Sequence, residues 1–187
     1  MKSPSSTKMD DTSLSGKRLK YSILFVISSL IGFSLSFYAA YVESKVEENH
    51  DYKAMCDISS KISCTKVFSS SYAKGFGVLG KVFGENSLLN LPNGYLGIAF
   101  YGFFMVSGFL NNVTVIRIQY LLSILSVLLS FYLAYLLYFV LENLCILCVS
   151  TYIVNFINLI TIRKKLSVSK SERSMTYQNK ISTKKHK

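Results

Sequence analysis

The sequence predicts an all-α membrane protein: a four-transmembrane-helix bundle with a luminal loop, or cap, between helices 1 and 2. Three observations lead there. Half of the 187 residues are hydrophobic although the formal net charge is +11, a pairing that suits a membrane protein with basic tails far better than a soluble domain. The apolar residues gather into four runs nearly free of charge. Finally, the four cysteines, Cys56, Cys64, Cys145 and Cys148, form one loose and one tight pair, and both lie at one end of the runs.

Taken in order, Met1–Lys20 is rich in Ser, Thr and Lys without apolar periodicity and reads as a disordered tail. Tyr21–Val42 contains no charge and, at about 22 residues, can cross a hydrocarbon core roughly 30 Å thick. A cleaved signal peptide would need a shorter core and small residues before the cut, and Phe37-Tyr38-Ala39-Ala40-Tyr41 does not supply them. Glu43–Gly94 is a long loop. Tyr95–Leu110 is the shortest run, about 16 residues, and Asn111–Ile116 extends it if the helix continues toward the interface. Ile118–Leu141 offers about 24 uncharged residues, Glu142-Asn143 interrupts, and Leu144–Ile162 offers about 19 more. The polar, basic C-terminal stretch reads as a second disordered tail. The organisation is a four-helix domain over residues 21–164, flanked by basic tails 1–20 and 165–187.

Charge orients the bundle. The first tail has five basic and two acidic residues, and the stretch from Arg163 has nine basic and one acidic; the short connection before the third span adds Arg117. On the other side the long loop balances six lysines against six acidic residues, and the turn before the fourth span holds only Glu142. An excess of Lys and Arg marks the cytoplasmic side. Both termini then face the cytosol, and all four cysteines face a disulfide-permissive lumen. Nucleic-acid binding is excluded as a reading of the basic tails, because no aromatic-interleaved basic platform accompanies them. The sequon Asn112-Val113-Thr114 falls in a cytosolic connection and is expected to stay unglycosylated.

Cys145-Ile-Leu-Cys148 is a CxxC motif where the fourth helix begins. With Asn143 as N-cap, Cys145 falls in the first turn and Cys148 one turn deeper. Unpaired N–H groups there favour a thiolate, the attacking species in disulfide chemistry. The i, i+3 spacing sets both sulfurs on one face. Two other readings are a pair of small buried residues, and a zinc site completed by Cys56 and Cys64. Zinc needs four ligands in tetrahedral array, and neither His50 nor His186 lies near either pair. Cys56 and Cys64 alone would read as a structural disulfide; beside a CxxC on the same membrane side they suit a relay between dithiol pairs. In the same loop Phe76, Leu79, Val82 and Phe83, with Val78 adding bulk, follow near-helical spacing and read as an amphipathic segment covering a pocket over the helices.

Cys56-Asp57, Ser63-Cys64-Thr65-Lys66-Val67-Phe68-Ser69-Ser70, Gly75-Phe76-Gly77, Asn86-Ser87-Leu88-Leu89-Asn90 with Asn93, and Cys145-Ile-Leu-Cys148 with Thr151-Tyr152 closely resemble the animal vitamin K epoxide reductase family, in the same order and spacing from about Tyr52 to Lys164. The resemblance implies residence in the endoplasmic reticulum membrane and reduction of vitamin K 2,3-epoxide to the quinone, then of the quinone to hydroquinone. It implies that Cys148 attacks the substrate, that Cys145 resolves, that Cys64 exchanges with Cys145, and that Cys56 receives electrons from a luminal thioredoxin-fold oxidoreductase. It makes Asn93 and Tyr152 hydrogen-bond donors to the substrate oxygens and Phe68 an aromatic contact. No tightly bound cofactor or metal is implied; vitamin K is substrate, and 4-hydroxycoumarins are potential inhibitors. The residues agree in part: Tyr152 lies one turn beyond Cys148 on the same face, and a flat apolar quinone needs aromatic walls with few polar anchors. The family's usual Trp in the cap is replaced by Tyr72.

Two rival functions use the same features. A quinone-coupled oxidase that forms disulfides in luminal thioredoxin-fold partners would run the same cysteines in reverse. A non-catalytic four-span scaffold gives no reason for a CxxC at the membrane edge. The terminal Lys184-Lys185-His186-Lys187 resembles a dilysine retrieval signal.

Overall fold

In the computed structural model, which describes residues 4–49, 51–80, 84, 87 and 90–185, the chain is all-α, with isolated bridges in place of strands among those residues. Along the described residues run α1 (Pro4–Glu48), α2 (Cys64–Phe68), α3 (Asn93–Ser107), α4 (Val113–Tyr135, with a π turn over Leu136–Val140) and α5 (Ile146–Lys185). Three helical stretches, Ser13–Glu48, Val113–Val140 and Ile146–Ser182, are long and apolar enough to cross a membrane. Their outer faces carry exposed Leu24, Ile27, Leu121, Leu128, Ile153 and Phe156, the surface expected against lipid.

The second apolar run becomes α3, which has 15 residues and spans only about 22 Å at 1.5 Å per residue. The extension through Asn111–Ile116 is not made. The chain leaves the helix at Ser107, and Asn112 starts α4 instead, its side-chain oxygen accepting from the Thr114 N–H at 2.9 Å. The exit is held by Lys165, fully buried, whose Nζ donates to the carbonyls of Gly108 (2.6 Å) and Leu110 (3.2 Å). A cation at a helix C-terminus satisfies carbonyls that have no partner within the helix.

Neither basic stretch is disordered over its described residues. α1 and α5 continue outward through them, and Arg18 Nη1 pairs with Glu172 Oε2 at 3.0 Å between the two extensions. Apolar periodicity was the wrong criterion for these stretches, because each helix is nucleated by its membrane segment and need only propagate.

α1 is the central element, packing along both α3 and α5, while α4 packs on α5. The α1–α3 seam is made of small residues. A Cβ on Gly97 would strike Ser36, one on Gly94 would strike the backbone of Ala40, and one on Gly32 would strike the Tyr101 ring. Close backbone approach of this kind replaces the hydrophobic drive that helices in lipid lack. Away from the cysteines, Phe25, Phe104, Ile116, Ile162 and Leu166 form one core cluster. Polar pairs are folded in beside it: Ser28 donates to Asn158, and Gln119 Nε2 donates to Ser107 Oγ at 2.8 Å.

Candidate functional site

The segment between α1 and α3 is organised by one carboxylate. Asp57 accepts from the Ala54 N–H (3.1 Å), the Ser63 hydroxyl (2.9 Å), the Thr65 N–H (3.0 Å) and the Thr65 hydroxyl (2.5 Å). Partial burial works against its charge, yet the Thr65, Ser63 and Ala54 donors prevail and hold its carboxyl below the usual carboxylate range. Ser63 caps α2 through its side chain, so Cys64 opens that helix. Cys56 and Cys64 are joined in a disulfide.

The same segment is stitched to the start of α5. Ser63 N donates to Leu144 O at 3.0 Å and Leu144 N to Lys61 O at 2.8 Å, a parallel bridge between Ile62 and Leu144. Each bridge residue stands close in sequence to a cysteine: Cys64 follows Ile62 by two positions, and Cys145 follows Leu144 directly. The Sγ atoms of Cys64 and Cys145 consequently sit 3.5 Å apart, both side chains wholly buried.

Asn143 does not cap the last helix. Its amide donates back to Leu141 O at 2.6 Å, α5 begins at Ile146, and Cys145 itself takes the capping position. The Cys145 sulfur accepts the Cys148 N–H at 3.4 Å and its carbonyl accepts the Val149 N–H at 3.1 Å. This is the role a Ser or Asp usually plays, and it aims helix N–H donors at the sulfur. Cys148 lies one turn in. Both cysteines of the CxxC are free thiols, Cys145 buried and Cys148 partly exposed.

Cys148 opens onto a cavity of about 380 Å³, largely apolar, walled by α1, α3, α4 and α5 and roofed by the segment around α2. Phe68, Asn93 and Tyr152 line it with Cys148, as do Tyr72, Phe76 and Leu79. The Tyr152 hydroxyl is buried and, among the described residues, no hydrogen-bond acceptor or donor lies in bonding geometry with it. Asn93 is held on two sides: its Oδ1 accepts the Phe76 N–H and its Nδ2 donates to Tyr72 O, each at 2.9 Å. The first of these bonds supports Phe76 in the left-handed region (φ 56°), a conformation that a bulky residue adopts only when its surroundings impose it. Phe76 and Leu79 both line the cavity, Phe76 from a 3-10 turn over Gly75–Gly77 and Leu79 from the helical residues that follow it. Val82 and Phe83 of that motif, Asn86, Leu88 and Leu89 of the family motif, His50, and His186-Lys187 of the terminal motif lie outside the described residues.

Sequence reasoning missed three features. Asp57 was visible only as part of a motif, with no hint of its four donors. Glu43, 3% exposed, read as the first loop residue because a charge ends an apolar run. Tyr101, Asn155 and Ser130 line the cavity deeper down, with Tyr101 Oη donating to Asn155 Oδ1 at 2.8 Å and Asn155 Nδ2 to Ser130 Oγ at 2.9 Å. The one available signal was Asn155, which follows Cys148 and Tyr152 on the same helical face at i+7.

Residues 23–162 match the pattern described as the vitamin K epoxide reductase family. Among similar proteins, vitamin K epoxide reductase complex subunit 1 of Rattus norvegicus is 41% identical over 126 residues, 67% of this chain and 78% of its own length. The Mus musculus protein of the same description is 35% identical over the same extent.

Proposed function

Because this chain belongs to the vitamin K epoxide reductase family, we propose that it reduces vitamin K 2,3-epoxide to the quinone and the quinone to hydroquinone, with Cys145 and Cys148 as the dithiol. Each turnover converts the two thiols to a disulfide. Epoxide reduction gives quinone and water, and quinone reduction gives hydroquinone. In both steps the two electrons and two hydrogens come from the thiols. Cys148 attacks, Cys145 resolves, and a thiolate of Cys64 then opens the Cys145–Cys148 disulfide. The observation that carries the reading is the unbroken sulfur line: a disulfide at Cys56–Cys64, a 3.5 Å step to Cys145, and Cys148 one turn on at the cavity wall.

Tyr152 and Asn93 donate to the two substrate oxygens in this scheme. The buried Tyr152 hydroxyl, without a hydrogen-bond partner among the described residues, supports its part. Asn93 gives one amide hydrogen to Tyr72 O and keeps the second for a ligand. Phe68 supplies an aromatic wall, and coumarin-type rings fit the same description of flat, apolar and oxygen-bearing. The bundle takes α3 as a short fourth span, with the Glu43–Gly94 segment as a luminal cap, both termini cytosolic and the chain resident in the endoplasmic reticulum. Cys56 receives electrons from a luminal thioredoxin-fold protein.

The test is epoxide and quinone turnover in membranes containing the chain, driven by a small dithiol. Absence of both activities in a folded protein would end the proposal. The disulfide-forming oxidase is the same cysteines run backwards: quinone-dependent oxidation of a thioredoxin-fold partner, faster than reduction by it, would favour that reading. Glycosylation at Asn112 would invert the topology.

A further inference from the structure

α3 begins without a cap of its own. The residue before it is Pro92, which offers no side-chain hydrogen bond, so the first-turn N–H groups need partners from elsewhere. One comes from another helix: Glu43 of α1 reaches across with Oε2 3.0 Å from the Gly94 N–H. A carboxyl oxygen there satisfies an N–H group that has no partner within the helix. The contact requires Gly94, because a Cβ there would fall 2.7 Å from the same Oε2.

Glu43 occupies a particular place. One turn before it, Ala39 lines the cavity; one turn after it, Glu47 pairs with Lys74 of the roofing segment at 2.6 Å. Its neighbour Val42 packs in the cluster that contains Cys64 and Cys145. Glu43 itself does not line the cavity. What it holds is the first turn of α3, and the first residue of that turn is Asn93.

We propose that Glu43 is a positioning residue of the centre: by accepting the Gly94 N–H it fixes the first turn of α3 and so the direction in which Asn93 presents its free amide hydrogen to a substrate oxygen. The inference rests on the reading of Asn93 as a substrate donor. Its test uses the full chain in membranes, with vitamin K epoxide and a small dithiol. Glu43→Ala raises KM about fivefold, the equivalent of one buried hydrogen bond of about 1 kcal/mol. Glu43→Gln recovers most of the loss, since an amide oxygen still accepts from Gly94. Glu43→Asp, one methylene shorter, does not. In an Asn93→Ala background, Glu43→Ala changes KM less than about twofold, because residues acting through one another are non-additive. The proposal is overturned if Gln is as impaired as Ala, if Asp is as active as Gln, or if the full effect persists without Asn93. Thiol labelling of the Cys56–Cys64 pair confirms that each variant compared is folded; where Ala is not, Gln against Asp decides. Failure of the unsubstituted chain to turn over either substrate would count against the proposed function instead.

Discussion

The two ends of the bundle are built on different principles. At the tail end, Phe25, Phe104, Ile116 and Ile162 interdigitate, Phe25 and Phe104 with ring centroids 5.0 Å apart, and Gln119 donates to Ser107 beside them. At the cysteine end, the buried cluster holding Cys64 and Cys145 contains Val42, Val46, Ala54, Val67, Leu137 and Leu147, aliphatic side chains without a fully buried ring, held together by a disulfide, a backbone bridge and a carboxylate with four donors. One end is ordered by side-chain volume, the other by directional bonds. A redox relay needs the second kind: sulfurs must come within bonding range while one bond after another is exchanged, and a volume-packed core would resist the repeated change.

The sharpest way to break this contrast is to substitute at both ends. Cys148→Ala should abolish turnover with any reductant while leaving the fold intact. Cys145→Ala should lose turnover and accumulate a Cys148–substrate adduct, read as a mass increase on the tryptic peptide. Phe104→Ala should do the converse, costing roughly 3 kcal/mol or more of stability while the folded fraction keeps its rate. Equal catalytic loss per folded molecule at Phe104 would show that the two ends are not separable.

Next comes the choice of electron donor. Cys56→Ala should keep much of its activity with a membrane-permeant dithiol that reduces the inner disulfide directly, and lose it with a thioredoxin-fold protein donor. If Cys56→Ala and Cys148→Ala fail alike with the small dithiol, the loop pair belongs to the catalytic site rather than to a relay.

The smallest effect is expected from Asp57. Its folded-state value lies below the ordinary 3.8, so its contribution to loop order is complete above about pH 4 and is lost as pH falls through the lower folded value. Hydrogen exchange of residues 54–66, taken relative to the intrinsic amide rate at each pH, should therefore be flat from neutral pH downward and rise only in strong acid. Asp57→Asn should exchange faster already at neutral pH, with the acid-dependent rise gone. A rise centred near neutral pH in the parent chain would point to a different titrating group.

The apolar runs, the grouping of the four cysteines toward one end, and the shared helix face of Cys148 and Tyr152 were legible in the sequence, because helical periodicity and short motifs carry that information locally; Asn93 and Phe68 came only from the family resemblance. The end of α3 was not. It depends on Lys165, more than fifty positions away, reaching the Gly108 and Leu110 carbonyls. Nor was the helix start at Ile146: Asn143 is the better cap by type, but the Ile62–Leu144 bridge holds the chain extended one residue beyond it. Both misses are cases of tertiary partners overruling local propensity. Glu43 was hidden for a related reason, since burial of a charge beside a helix start cannot be inferred from the helix that carries the charge.

The central claim is that the loop pair and the CxxC pair exchange directly through Cys64 and Cys145. It is tested most directly by the double variant Cys56→Ala/Cys148→Ala, which leaves only those two thiols, 3.5 Å apart in the parent chain. Under mild oxidation in native membranes, digestion and mass spectrometry should recover a single Cys64–Cys145 linked peptide in high yield. Recovery of both cysteines as separately alkylated peptides from a folded protein would contradict the relay.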